Sequence, residues 1–559
     1  MSRPWLFALL LCLAGCEDAA DPPADAGPAG DAMGADAAAP LDAALMDLGG
    51  SDDAGGSDDA GGERACRPTG RRYLMLGAAQ NPQTIVFGQG LPNETTLQID
   101  GAYLAAFDAT GCFEWVAPIP AVQGSFGNAN FIVDGDGDMV FGIELLAPMT
   151  FMQADGEVGL VVGEGGEPYT RGVAAVSYAV DGTFRYLSRV GNALEFPETM
   201  SYSLQSFQRS GDRLEVVASA LGTGSAVDTF EVVGGYGQAT ADRRSLSVVS
   251  RFSMAATFDF DTGTYASDSL RVGAPRTPDR RFELRHTGRG TGQRATDGST
   301  HLATTFVNSG VYRLHQGEPD EREFTTTQRF VVALQKLAPD RTIEWVRIVG
   351  ANTGGMSLFS AATLADGSAL FSGNGTSGAE LEGGSAPAVL PEGAGAFLAR
   401  YTPSGNLAWV RALTGPAFGR MYVDEARGAL FVLGTGTGSA TFGIGDDDVQ
   451  TYELSGPYLA RLSLQTGAVE WLRRVDAEFA RFQNLDVIGD ELVVSLRFDD
   501  AATFQPGEPD ELRVAVTLAI WSGNARYDVN GTFLGLTEYV VHRGTRLNDG
   551  LNMGGVYQP

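Results

Sequence analysis

Lysine is almost missing from this chain. One residue, Lys336, stands against 38 arginines, a bias of the coding genome that carries no functional weight. Positive charge as a whole is scarce, with 39 Lys+Arg against 69 Asp+Glu and a formal charge of -30. That balance excludes nucleic acid as a partner, because phosphate binding needs clustered cations on a positive face. Four histidines, His286, His301, His315 and His542, are too few for a His-rich metal site. There is no G-x-S-x-G, H-E-x-x-H, P-loop or C-x-x-C pattern, which removes the hydrolase, metalloprotease, nucleotide-phosphate and dithiol readings those motifs carry. After the N-terminus no uninterrupted apolar run reaches the 18 or so residues of a membrane-crossing helix. Helical periodicity is also lacking, although 43% of the residues are hydrophobic, enough for a globular body.

Glycine is abundant, at 74 of 559 residues, and points to many turns. The first sixteen residues read MSRPWLFALLLCLAGC, with Arg3 ahead of a nine-residue apolar core from Trp5 to Leu13. The core is too short to span a bilayer and reads as a signal peptide over residues 1–15. Leu13-Ala14-Gly15-Cys16 resembles the lipobox of bacterial lipoproteins. The resemblance implies cleavage before Cys16 and acylation of its thiol and new amine. The alternative is an ordinary secretory signal with an incidental cysteine. Residues 17–62 contain twelve acids and no Lys or Arg, with GGSDDA at 49–54 and again at 55–60. Such a segment buries too little apolar area to offset its chain entropy, and its like charges extend it. Residues 16–63 are therefore expected to be a disordered acidic linker that holds a folded body off a membrane surface. Cys12 leaves with the signal, so Cys66 and Cys112 remain. In an oxidising compartment two cysteines pair most simply. The loop would be worth about 4 kcal/mol in the chain-entropy model. Two buried free thiols are the alternative.

The rest of the chain, residues 64–559, repeats. An alternating strand, a turn and then an aromatic recur, with the turn at positions 111, 182, 263, 341, 405, 467 and 531. All are glycine except Arg341. A second motif, a Gly turn followed by an apolar strand, interleaves at Gly70, Gly137, Gly211, Gly298, Gly367, Gly428 and Gly489. Seven copies of each give two hairpins, hence four strands, per unit. The fold class expected is all-β: a seven-bladed β-propeller, with eight blades as the alternative, whose sheets cover one another. The phase of the repeat leaves a spare C-terminal strand, best matched by Thr537–His542. It is expected to join the blade begun by residues 71–77 and so close the ring.

Phe107-Asp108-Ala109-Thr110-Gly111-Cys112-Phe113-Glu114-Trp115 and the LSLQTGAVEW run from Leu462 to Trp471 resemble the repeat of quinoprotein-like propellers. Gly395-Ala396-Phe397-Leu398-Ala399-Arg400-Tyr401 is similar to bacterial β-propeller repeats of the SBBP type. The resemblance covers most of residues 70–536 and implies a propeller in the cell envelope. Quinoprotein dehydrogenases carry adjacent cysteines and a calcium-binding carboxylate site beside their cofactor. No two cysteines are adjacent here, so the resemblance does not carry that chemistry over. Some lipoproteins with this repeat are scaffolds in outer-membrane protein assembly, which implies a similar role.

Candidate sites follow. Trp115, Trp345, Trp409 and Trp471 share one repeat column and read as packing between blades, with sugar or cofactor stacking as the minor reading. Asp134, Asp136 and Asp138 resemble the first half of a calcium loop, but Met139 and Leu145 stand where that loop needs Gly and Glu. A hairpin turn is the main expectation, weak calcium binding the other, and no further cofactor is expected. Asp446-Asp447-Asp448 reads as a solvated turn. Arg271, Arg276, Arg280, Arg281, Arg285, Arg289 and Arg294 face only Asp279 and Glu283, a local charge of +5, in the longest step between repeats. This enlarged connection either is a solvated loop or docks an acidic partner, a lipid headgroup or an anionic glycan through Arg276, Arg280, Arg281, Arg285 and Arg289. The functional expectation is a monomeric, lipid-anchored envelope module that binds or scaffolds protein or glycan partners. The alternative is a glycan-directed hydrolase or lyase with carboxylates in the central channel, which converging, strongly shifted acids would favour.

Overall fold

The computed structural model describes residue 66 and residues 72–557, apart from 89–90, 109, 121–130, 134–136, 146–148, 163–171, 193–199, 211, 223–226, 237–241, 250, 273–281, 284–294, 308–309, 315–318, 341, 352–355, 385, 415–417, 478 and 544–552. The signal peptide, the linker and Cys16 lie outside the described residues. Every regular element among the described residues is a β-strand.

The strands pair as antiparallel meanders of four, and seven such runs can be traced among the described residues. The first takes Met553–Tyr557 from the end of the chain and continues through Arg72–Phe87, Thr95–Asp108 and Phe113–Ile119. The second is Phe131–Val133, Met139–Leu145, Gly172–Tyr178 and Phe184–Asn192. Met200–Ser210, Arg213–Gly222, Arg251–Asp259 and Tyr265–Val272 make the third. Phe282–Glu283, Thr300–Val307, Phe330–Leu337 and Ile343–Ala351 make the fourth. Ser357–Thr363, Ala369–Asn374, Ala396–Tyr401 and Leu407–Leu413 form the fifth. The sixth runs Phe418–Asp424, Ala429–Phe442, Gln450–Ser463 and Val469–Asp476. The seventh runs Phe479–Ile488, Glu491–Phe504, Leu512–Asp528 and Phe533–Arg543. The two glycine-turn motifs fall on the first and third connections of these meanders. Gly137, Gly298, Gly367, Gly428 and Gly489 close the first connection and Gly111, Gly182, Gly263, Gly405, Gly467 and Gly531 the third, all with positive φ.

The middle strands are apolar on both faces because both faces are covered. In the second meander Met139 and Phe141 belong to one apolar cluster, shared with Leu104, Ala106 and Ile119 of the first. Val140, between them, belongs to another, shared with Leu214, Val216 and Phe258 of the third. In the sixth, Leu430 and Val432 face the fifth while Phe431 and Leu433 face the seventh. A strand sends alternate side chains to opposite faces, so this alternation is the signature of sheets stacked on sheets. Each large side chain buried this way contributes about 1.5–3 kcal/mol.

Backbone pairing adds to the stacking. In the first, fifth, sixth and seventh meanders the middle hairpin is prolonged, and its far end reaches the last strand of the meander before it. Leu413 pairs with Phe442, Val475 with Phe504, and Thr84–Phe87 with Val540–Arg543. In the third meander the prolongation is a separate hairpin, Val227–Tyr236 and Asp242–Val249, paired with Phe184–Asn192. That hairpin takes up part of the long step from 211 to 298, so the step is not the arginine-rich connection alone.

One expectation is corrected. Thr537–His542 is not the strand that completes the first meander. It lies in Phe533–Arg543, the fourth strand of the seventh, and that strand meets Arg72–Phe87 only at residues 84–87. Arg72–Leu76 pairs instead with Met553–Tyr557. Two central glycines, Gly554 and Gly555, give that segment little strand propensity, so it is recruited by the edge it meets rather than by its own preference.

Candidate functional site

The predicted site residues separate into those that tie the structure together and those outside the described residues. Cys66 and Cys112 form a disulfide with a Cα–Cα distance of 5.7 Å, fastening the segment ahead of the first strand to the turn at Gly111. Arg276, Arg280, Arg281, Arg285 and Arg289 lie outside the described residues, as do Asp134 and Asp136. Asp138 is described. Its carboxylate pairs with Arg185 and accepts the Val180 amide at 3.3 Å. Among the described residues no group of three or more His, Cys, Asp or Glu is placed to hold a metal ion.

The tryptophan column is packing of a specific kind. Each ring lies over the turn glycine of the next meander. A Cβ at Gly182 would stand 3.0 Å from the Trp115 ring, one at Gly405 2.9 Å from Trp345, one at Gly467 2.8 Å from Trp409, and one at Gly531 3.0 Å from Trp471. Tyr186 over Gly263 continues the column. Indole N–H groups extend the contact, from Trp115 to the Val180 carbonyl at 3.1 Å and from Trp345 to the Pro403 carbonyl at 3.0 Å. Two residues on, an arginine clamps the same turn. Arg347 Nε donates to Gly405 O at 2.6 Å, Arg411 Nε to Thr466 O at 2.9 Å and Arg473 Nε to Gly531 O at 2.7 Å. The rings are thus seated against main chain on the side that meets the turn, which is packing between successive meanders. The triple aspartate joins this scaffold. The segment is an exposed turn, as expected, and in addition Asp446 and Asp448 hold Arg411 at 2.7 and 2.6 Å.

A different group of residues has chemical potential. On the first strands of the sixth and seventh meanders, Arg420 Nη1 donates to Asn484 Oδ1 at 2.8 Å, and Asn484 Nδ2 donates to Asp486 Oδ2 at 3.1 Å. Burial pushes the Asp486 carboxyl up to about 7, against the opposing pull of Arg420 and the Asn484 hydrogen bond. It therefore holds or yields a proton near neutrality. Tyr422 lies close enough to feel the charges of Asp424 and Asp486, and burial raises its hydroxyl. Glu114 is also raised by burial, but Arg72 holds it at 2.7 Å. The sequence carried a signal for Asp486, a carboxylate inside the otherwise apolar Leu485–Ile488 run, and the sequence reading passed over it.

His301 and Lys336 sit side by side on the fourth meander, in register across two strands. His301 Nδ1 lies 3.1 Å from Thr363 Oγ1, and burial, then the nearby Lys336, lower its pKa to about 3. Lys336 is buried and paired with Glu344 at 2.9 Å. His301 thus reaches the fifth meander through Thr363, while Lys336 is held by Glu344 and, at 3.7 Å, Asp297 of the fourth.

No family model matches this chain, and no curated protein matches it. Among solved structures it is similar to a europium-containing methanol dehydrogenase, with 8% identity over 75% of this chain and 80% of that one and a TM-score of 0.30. BamB from Moraxella catarrhalis aligns at 11% identity, over 64% of this chain and 99% of that one, with a TM-score of 0.23. The NanB sialidase from Streptococcus pneumoniae aligns at 9% identity, over 85% and 94%, with a TM-score of 0.24.

Proposed function

We propose that the protein is a seven-bladed β-propeller, closed between its N- and C-terminal strands, that is held in the cell envelope by lipid on Cys16 and binds or scaffolds protein or glycan partners. The observation that carries the reading is the succession of four-stranded meanders whose first member contains both Arg72–Phe87 and Met553–Tyr557. Such a body presents loops on a rigid frame and leaves binding to them. The arginine-rich stretch is the docking element of this reading, and the acidic linker supplies the reach. The test compares wild type with the Arg280→Glu, Arg281→Glu, Arg285→Glu variant in crosslinked native envelope. Wild type is expected to recover a discrete partner that the variant loses, and equal recovery would remove the docking role. Mass spectrometry of the mature N-terminus reports on Cys16 acylation separately.

One observation favours a second reading, a glycan-directed hydrolase or lyase. Asp486 has the near-neutral titration of a general acid. Glycan turnover that Asp486→Asn abolishes while leaving the fold intact would reverse the order of the two.

A further inference from the structure

The fourth meander departs from its neighbours in its middle hairpin. The fifth to seventh and the first pair the prolonged end of that hairpin with the preceding outer strand, as Glu380–Leu381 of the fifth does with Val349 and Gly350. The prolongation of the fourth, Gly310–Leu314 with Arg322–Thr326, is a two-stranded sheet that takes no third strand among the described residues. Strand Arg322–Thr326 therefore runs along an edge. Opposite lies Ile343–Ala351, whose outer edge carries a strand only at Val349 and Gly350. Outside that pair the edge is met at Ile343 by a side chain, and at Ile348 by both the side chain of Glu382 and its amide, which donates to the Ile348 carbonyl at 3.0 Å. Asp320 accepts the Ile343 amide at 2.5 Å and Glu382 accepts the Ile348 amide at 2.9 Å.

Between the two edges is a cleft of about 440 Å³, within the size range of ligand sites. Its wall combines half-buried apolar groups, Phe324, Val346 and Ile348, with exposed Thr325 and Thr327. Three exposed carboxylates, Glu323, Glu380 and Glu382, line it against one cation, Arg322. A strand edge calls for main-chain donors and acceptors. The apolar strip suits aliphatic stems and the carboxylates suit their charged ends, which is how arginine and lysine side chains divide.

We propose that this cleft receives an extended, cationic segment of a partner polypeptide, laid beside Arg322–Thr326 as an added strand. The charge complementarity of the rim selects a basic segment. The inference goes beyond the proposed function, since it requires neither the lipid anchor nor the arginine-rich stretch, and it fails or stands independently of both.

The test uses the mature full chain and fluorescein-labelled decapeptides, read by anisotropy. One peptide alternates Arg and Val, a second alternates Glu and Val, and a third repeats the first with alternate amides N-methylated. The Arg-Val peptide is expected to bind, the Glu-Val peptide not, and N-methylation to weaken binding roughly tenfold or more, as lost main-chain bonds require. The Glu323→Lys, Glu380→Lys variant should reverse the preference between the first two peptides while its melting temperature stays within a degree or two of wild type. Absence of binding, equal binding of both charges, or binding unmoved by the double variant would each overturn the proposal. Equal binding of the N-methylated peptide would overturn strand addition.

Discussion

Replacing Asp486 by Asn removes a carboxyl that burial forces to titrate near neutrality. Its folded-state pKa is about 7, against an ordinary value of 3.8. Between those values the folded protein holds a proton that the unfolded chain has released. Stability is then greatest below pH ~4, falls as pH rises through the window, and levels off above pH ~7. The full separation corresponds to about 4 kcal/mol. The side chain keeps partial contact with solvent, so that figure is an upper bound, and ~2 kcal/mol is the working expectation. Asn keeps the shape and an oxygen to accept from Asn484 Nδ2 but carries no charge. Wild type and variant should therefore melt together near pH 4.5, and the variant should melt higher near pH 8.5. For a body of this length, unfolding entropy is of order 1 kcal/mol per kelvin, so the gap should open to roughly 2–4 °C. The assay is calorimetry of both proteins in parallel at half-unit steps of pH. Taking the difference cancels every titration the two share. A gap independent of pH, or a variant less stable at pH 8.5, would refute the argument that burial controls this carboxyl.

Gly405→Ala should destabilise by about 2–3 kcal/mol, combining the cost of a side chain at φ +79° with a Cβ 2.9 Å from the Trp345 ring; denaturant unfolding checks this. Gly378→Ala, at φ +78° with open space around it, should show only the backbone part. Ending the chain before Met553 should speed amide exchange at Arg72–Leu76, the residues that strand pairs with, and leave the sixth meander unchanged.

The turn glycines, the phase of the repeat and the aromatic column were legible because they are local. A positive-φ turn admits glycine wherever it recurs, and a four-strand unit repeats that demand at a fixed phase. The partner of each tryptophan was not legible, since Gly405 lies sixty residues beyond Trp345. Neither was the role of Asp446 and Asp448, which depends on Arg411 arriving from another strand. The strand that completes the first meander was misplaced for the same reason: Thr537–His542 has the stronger strand composition, but the edge of Arg72–Leu76 is met by Met553–Tyr557.

By itself the sequence determined an all-β body built of two interleaved hairpins per unit, because strand alternation and turn chemistry act over a few residues. Only the tertiary structure decided which edges pair, that the tryptophan rings are spent on main chain, and that Asp486 sits where its proton is held near neutrality. Those outcomes depend on desolvation and on contacts between residues far apart in the chain, and both are set only when the sheets stack.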